Sequence, residues 1–117
     1  MGKLTTHILD TASGKPGANI QIQLYFLNDD SWEMVLETVS NDDGRCDSPL
    51  LEGDALKVGK YELVFHAGDY FENQGIDLPE TKFLDEVVLR FGIPDANEHY
   101  HVPLLVSPYS YSTYRGS

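Results

Sequence analysis

Residues 19–26 read Asn-Ile-Gln-Ile-Gln-Leu-Tyr-Phe, a stretch in which polar and apolar residues alternate. Ile20, Ile22, Leu24 and Phe26 occupy every second position. Because successive side chains of a β-strand point to opposite faces, this alternation predicts a strand with one buried face and one face in water.

Similar short runs lie on both sides of this strand along the chain, at residues 4–9, 32–39, 61–66, 86–91, 100–105 and 109–114. Turn-forming residues separate them at 13–17, 28–30 and 41–44, and Pro16 before Gly17 suits a type II turn. About seven or eight strands at this spacing predict an all-β fold, an antiparallel two-sheet sandwich. The length of 117 residues favours one domain, residues 1–117.

Residues 68–75 depart from the strand pattern. Asp69 precedes Glu72 by three positions, which is the spacing of a capping box, and Gly75 stands where a helix could end. This segment predicts the single short α-helix of the fold.

The composition limits the partners. With 19 acidic and 8 basic residues the formal net charge is −11, so nucleic acid and anionic membrane are disfavoured as partners. Residues 99–117 contain no acidic residue, as expected for either a buried strand pair or a site for an anionic or polar heterocyclic ligand.

The N-terminal sequence predicts a cytoplasmic location. No stretch of the chain approaches the roughly 20 apolar residues of a membrane span. The first residues are also not followed by the apolar region of a secretory signal. Cys46 is the only cysteine, which excludes an intramolecular disulfide and a cysteine-based zinc cluster.

Four residues outside the core pattern are candidates for chemistry. His99 and His101 would share one face of a strand, either as two surface histidines or as a pair binding one small ligand. A metal ion would need a third protein ligand, which the neighbouring sequence does not offer. His7 and Arg45 also have ordinary interpretations, as a partly buried strand histidine and as a surface arginine paired with Asp42 and Asp43.

The C-terminal segment 101–117, His-Val-Pro-Leu-Leu-Val-Ser-Pro-Tyr-Ser-Tyr-Ser-Thr-Tyr-Arg-Gly-Ser, resembles the ending of the transthyretin-related proteins, the 5-hydroxyisourate hydrolases. That family characteristically ends in Tyr-Arg-Gly-Ser. Residues 4–10 and 14–17 resemble its first strand and turn, and residues 43–45 resemble its arginine-bearing loop. The similarity spans nearly the whole chain.

The resemblance implies a transthyretin-like sandwich of about eight strands with one short helix. It also implies that the active site contains His7, Arg45, His101 and Ser117. Substrate would contact His7 and Arg45 together with the terminal residues Tyr114, Arg115, Gly116 and Ser117. His99 is the neighbour of the family histidine, which immediately precedes the Val-Pro step.

The activity implied by the resemblance is hydrolysis of 5-hydroxyisourate to 2-oxo-4-hydroxy-4-carboxy-5-ureidoimidazoline in urate degradation, without cofactor or metal. Two histidines could divide the proton transfers, and which one is the base stays open. The resemblance also implies a homotetramer, a dimer of dimers. The alternative is a transthyretin-like carrier, a protein that shares the Ser-Pro-Tyr-Ser-Tyr-Ser-Thr run but lacks the histidines, the arginine and the Tyr-Arg-Gly-Ser ending.

Overall fold

The computed structural model describes residues 1–116, in which nine β-strands form two sheets and enclose one apolar core. The strands are β1 (Lys3–Asp10), β2 (Lys15–Pro16), β3 (Gln21–Asn28), β4 (Ser31–Val39), β5 (Leu51–Glu52), β6 (Gly59–His66), β7 (Glu86–Ile93), β8 (His99–Val106) and β9 (Tyr111–Ser112). A 3₁₀ turn spans Gly53–Ala55, and the one α-helix, α1, spans Ala67–Asn73. The predicted all-β sandwich with one short helix is confirmed.

The first sheet has the order β2-β1-β8-β9, and β5 also pairs with β1. The second sheet has the order β4-β3-β6-β7. Every pairing is antiparallel except that of β1 with β8, which run parallel over their whole length with Thr5 opposite His101. This central parallel pair joins the two ends of the chain.

The alternation that predicted β3 is present in the structure as alternating buried and more exposed side chains. Ile22 and Leu24 are fully buried, and burying such a side chain is worth about 1.5–3 kcal/mol. The strand begins at Gln21 because Asn19 has a positive φ of 61°, which breaks the extended backbone. The predicted strand 19–26 is therefore shifted toward its C-terminal end.

The inward positions of β1 are the even-numbered residues, and two of them are polar. Thr6 donates a hydrogen bond to the Val102 carbonyl at 2.7 Å. The Asp10 carboxylate accepts one from the Tyr70 hydroxyl at 2.9 Å, and burial raises the pKa of Tyr70 to about 12, so the phenol stays a donor. Because side chains alternate along a strand, the odd-numbered side chains of β1 face outward.

Helix α1 differs in its start from the prediction. Asp69 lies inside the first turn and His66 is the N-cap residue, without a side-chain capping bond, so the predicted capping box is wrong. The end is as predicted. Gly75 has φ of 84° and donates to the Glu72 carbonyl, while the Ile76 amide donates to Phe71, as in a Schellman motif.

The predicted strand 109–114 is reduced to Tyr111–Ser112. Pro103 in β8 has no amide hydrogen to donate, so the ladder is interrupted there and resumes only as an isolated bridge between His101 and Gly116. The hydroxyl of Thr113 instead donates to the Pro103 carbonyl at 2.6 Å.

The predicted type II turn at Pro16–Gly17 is also wrong. Pro16 pairs with Leu9, and the chain reverses earlier, where Gly14 with φ of 76° donates to the Asp10 carbonyl.

Candidate active site

The outer face of the first sheet brings together the side chains that the sequence singled out. In β1 and β8 the even-numbered residues point into the core, so Thr5 and His7 lie on the same outer face as His99 and His101. The expectation that His99 and His101 share a face is confirmed. The parallel register places Thr5 beside His101, two positions before His7.

A tight turn delivers Arg45 to this face. The Asn41 side chain accepts from the amides of Asp43 and Arg45, and Gly44 completes the turn with φ of 75°. A Cβ at Gly44 would collide with the Ile8 carbonyl, so only glycine fits this close approach. The Ile8 amide donates to the Gly44 carbonyl at 2.8 Å, and the backbone of Arg45 forms an isolated antiparallel β-bridge with that of His7.

The guanidinium of Arg45 is exposed and forms no ion pair with residues 1–116. The ordinary interpretation, a surface salt bridge to Asp42 or Asp43, therefore does not describe this arginine. Its charge is available to a ligand.

Arg45 and His101 line a cleft of about 340 Å³. Its other walls come from Thr5, Thr6, His99 and the loop residues Cys46, Asp47, Ser48 and Pro49. The cleft combines a permanent cation, hydroxyl groups, one carboxylate and two imidazoles, which suits a small, polar ligand that both donates and accepts hydrogen bonds.

His7 lies beside Arg45, and its orientation is fixed by the same turn. Its Nε2 is 3.0 Å from the Asp43 carbonyl oxygen. Because a carbonyl can only accept, Nε2 carries the proton, and Nδ1 of the neutral ring keeps its lone pair.

The surroundings of His101 favour the neutral form of its imidazole. Burial lowers the pKa of its imidazole below the ordinary value, and the nearby charges of Arg45, His7 and His99 lower this pKa further. Its Nδ1 lies 2.9 Å from the Thr5 hydroxyl. A neutral imidazole next to a cation can take up a proton from a bound water.

The C-terminal segment packs directly on His101. Gly116 donates its amide hydrogen to the His101 carbonyl at 2.7 Å, and a Cβ at Gly116 would lie only 2.9 Å from Cδ2 of the ring. A second cleft of about 560 Å³ is lined by His101, Tyr114, Arg115 and Gly116. Ser117 lies outside the described residues.

Arg115 is held by the strand that carries the histidines. Its guanidinium stacks 4.5 Å above the Tyr100 ring, donates to the His99 carbonyl at 3.2 Å and lies 3.6 Å from the Glu98 carboxylate. These contacts fix the terminal segment along β8.

The cleft contains one thiol, that of Cys46. Burial and the neighbouring Asp47 carboxylate raise the pKa of the Cys46 thiol, so it stays protonated near neutral pH and is a poor nucleophile. Within residues 1–116, no three or more His, Cys, Asp or Glu side chains are arranged to hold a metal ion. The same part of the chain contains no helix long and apolar enough to span a membrane.

Sequence reasoning missed Thr5. The sequence signal for Thr5 was its position in β1. Thr5 and His7 are two positions apart and therefore share a face of the strand. Only the pairing of β1 with β8, however, shows that its hydroxyl meets the two other histidines.

The chain is similar to proteins of known activity. The model of the HIUase/Transthyretin family matches residues 4–116. A 5-hydroxyisourate hydrolase of Pseudomonas aeruginosa is 59% identical over 117 residues, covering 100% of this chain and 93% of that protein. A 5-hydroxyisourate hydrolase 2 of Rhizobium meliloti is 58% identical and covers 99% of this chain and 97% of its own length.

The chain is also similar to solved structures. An (S)-allantoin synthase structure superimposes with a TM-score of 0.94 at 48% identity over 99% of this chain, which spans only 44% of that longer chain. The Klebsiella pneumoniae 5-hydroxyisourate hydrolase has a TM-score of 0.82 at 30% identity over the full length of both chains. Sea bream transthyretin in complex with thyroxine has a TM-score of 0.85 at 27% identity, covering 97% of this chain and 94% of that one.

Proposed function

Because the chain belongs to the HIUase/transthyretin family, we propose that it is a 5-hydroxyisourate hydrolase. It opens the six-membered ring of 5-hydroxyisourate to give 2-oxo-4-hydroxy-4-carboxy-5-ureidoimidazoline, a step of urate degradation. The observation that carries the proposal is that His101 and Arg45, which has no ion-pair partner within residues 1–116, line one polar cleft.

His101 acts as the general base in this proposal. Water gives a proton to Nε2 of His101 as its oxygen forms a bond to a carbonyl carbon of the substrate ring. The lowered pKa supports the assignment, because the ring stays unprotonated and able to accept at neutral pH. The ring C–N bond then breaks, and the imidazolium returns the proton to the departing nitrogen.

Arg45 stabilises the oxyanion that forms between these two steps. Its guanidinium is always protonated, and its planar fork matches a flat heterocycle with several oxygens. The turn that carries it is braced by Gly44 against β1, so the cation is held in place before substrate arrives.

His7 binds and orients the substrate. Since Nε2 donates to the Asp43 carbonyl, Nδ1 is left to accept a hydrogen bond from a ring N–H group of the substrate. The terminal residues Tyr114, Arg115, Gly116 and Ser117 complete the binding site, and the contact of Gly116 with His101 supports this role. No metal or cofactor takes part.

The proposed assembly is a homotetramer, a dimer of dimers, in the cytoplasm. The sheet face that carries the site is open to solvent in the single chain, and the sandwich leaves edge strands unpaired within residues 1–116. Pairing such edges across two-fold axes removes an aggregation hazard. Cell fractionation of the source organism with an antibody to the chain tests the location.

The test of the activity is the spectrophotometric decay of freshly made 5-hydroxyisourate with and without the protein. We expect the protein to accelerate decay in proportion to its concentration. The second candidate, a carrier, is favoured by the likeness to transthyretin bound to thyroxine. Isothermal titration with thyroxine tests it, and tight thyroxine binding without accelerated decay would replace the enzyme proposal by the carrier.

A further inference from the structure

The Thr5 hydroxyl lies between two imidazoles. Its Oγ1 is 2.9 Å from Nδ1 of His101 and 3.3 Å from Nε2 of His99. A hydroxyl has one proton to donate, so it cannot donate to both nitrogens at once. In one arrangement it accepts from His101 and donates to His99, and in the other these roles are exchanged.

The two arrangements leave His101 in different states. If Nδ1 of His101 donates to Thr5, Nε2 of the neutral ring has a free lone pair. If Thr5 donates to Nδ1, the proton of the neutral ring sits on Nε2, and this nitrogen cannot accept another. Nε2 has no hydrogen-bond partner within residues 1–116, so it is the nitrogen available to a ligand.

Only the first arrangement survives a change of charge on His101. When Nε2 takes up a proton, Nδ1 keeps its own and continues to donate to Thr5 without any movement of the hydroxyl. In the second arrangement, protonation of Nδ1 would place two protons between Nδ1 and the Thr5 oxygen. The Thr5 hydroxyl would then have to rotate. A site that needs no reorganisation during the reaction has the lower barrier.

We propose that Thr5 is a positioning residue that selects the tautomer of His101, its hydroxyl accepting from Nδ1 and donating to Nε2 of His99, so that Nε2 of His101 is the proton acceptor. The proposal rests on the proposed function. Thr5 touches no reacting atom and acts through the orientation of the ring.

His99 has a secondary part in this arrangement. It is exposed, and its contact with Thr5 is the longer of the two. Water can replace it as the acceptor for the Thr5 proton. We therefore expect loss of the His99 imidazole to cost less than loss of the Thr5 hydroxyl.

Nuclear magnetic resonance of nitrogen-15-labelled protein tests the tautomer directly, without substrate. In long-range proton–nitrogen spectra at about pH 8, above the usual imidazole pKa, we expect the His101 proton on Nδ1. The Thr5→Val variant has the same shape without the hydroxyl, and in it we expect the proton to shift toward Nε2. A wild-type His101 protonated on Nε2 would overturn the proposal.

Kinetics give the second readout. We expect Thr5→Val to lower kcat about 10-fold to 100-fold with little change in KM, as when a partner that orients an imidazole is removed. Thr5→Ser, which restores the hydroxyl, should recover most of the rate. Thr11→Val is the matched control, because it deletes a hydroxyl that bonds only the Val106 carbonyl at the far end of the same strand pair.

The pH profile separates positioning from simple damage. The acid limb of kcat/KM in the wild type should lie below about pH 6.5, because the pKa of His101 is lowered. Loss of the Thr5 acceptor destabilises the imidazolium, so the limb of Thr5→Val should move to still lower pH. The charged and titratable groups that line the clefts with His101 or act on its charge are His7, Arg45, Cys46, Asp47, His99, Tyr114 and Arg115, and none is changed by this variant.

Failure of the two proposals can be distinguished. If the wild type does not hydrolyse 5-hydroxyisourate but the His101 proton moves from Nδ1 in Thr5→Val, the function is wrong and the positioning role stands. If activity is present and Thr5→Val changes neither the nitrogen spectrum nor kcat, the positioning role is wrong. Should Thr5→Val not fold, the wild-type and Thr5→Ser spectra still decide between the two tautomers.

Discussion

At the scale of single residues, the site depends on environments that differ between chemically identical side chains. His7, His99 and His101 share one sheet face, yet one is fixed by a carbonyl, one is exposed and one is partly buried beside a cation. These differences assign distinct roles to the three imidazoles.

The histidines should therefore respond unequally to substitution. His101→Asn should lower turnover by about 10²–10⁴-fold, because the general base is lost. His7→Asn should also lower turnover substantially, because the residue that orients the substrate is lost. His99→Asn should cost far less. Steady-state hydrolysis of 5-hydroxyisourate by the three variants checks this order, and equal losses at His99 and His101 would contradict the assignment of His101 as the base.

Arg45 should not tolerate replacement by lysine. Arg45→Lys keeps the positive charge but loses the planar fork, so we expect kcat/KM to fall about 10-fold to 100-fold. Arg90→Lys is the matched control, because Arg90 pairs with Glu62 on the second sheet and does not line the cleft of Arg45 and His101. Wild-type activity in Arg45→Lys would contradict the proposed contact between the Arg45 guanidinium and the substrate.

At the scale of elements, strands and turns carry the site in different ways. The strands could be predicted because burial imposes a period of two on the sequence, as Ile22 and Leu24 show. Their partners could not be predicted from that period. The parallel pairing of β1 with β8, which brings Thr5 to His101, depends on contacts between residues far apart in sequence.

The helix end and the short strand β9 also differ in how far the sequence predicts them. The end of α1 was predictable because Gly75 supplies a positive φ within a local motif. The short extent of β9 was not, since it follows from Pro103 on the opposite strand. In the site, His101 and Arg45 were identified by resemblance, whereas their environments required the fold.

The terminal segment gives the test at this scale. Because Gly116 packs on the His101 ring, deletion of residues 114–117 or addition of a C-terminal tag should leave a folded oligomer with most hydrolase activity lost. A tag before Met1 should be harmless. Circular dichroism and size-exclusion chromatography establish folding, the hydrolysis assay follows, and full activity in the tagged or shortened form would remove the role assigned to the segment.

At the scale of the whole molecule, the two sheets use their outer faces differently. The first sheet exposes the cleft that contains Arg45 and His101. On the second sheet, Arg90 stacks on Trp32 and pairs with Glu62, so these two charges are satisfied within the sheet. The first sheet is accordingly the face expected to meet other copies of the chain around the site.

The proposed tetramer has a mass of about 52 kDa, four times the chain mass of 13.1 kDa. Multi-angle light scattering at micromolar concentration should give this value, unchanged by a reducing agent, because the proposed tetramer contains no disulfide between chains. A monomeric mass would contradict the proposed assembly. Such a result would leave the cleft within each chain unaffected.

The parallel β1–β8 pair also has a consequence for biosynthesis. Thr5 and His101 are separated by 96 positions, so at ordinary translation rates the first strand leaves the ribosome about 5–20 s before its central partner. During that interval the backbone of β1 can pair with β2 and β5, which are two residues long each, and with the turn at Gly44 and Arg45. The proposed catalytic surface is therefore among the last parts of the molecule to form, and we expect a chain that ends before β8 to lack the proposed activity.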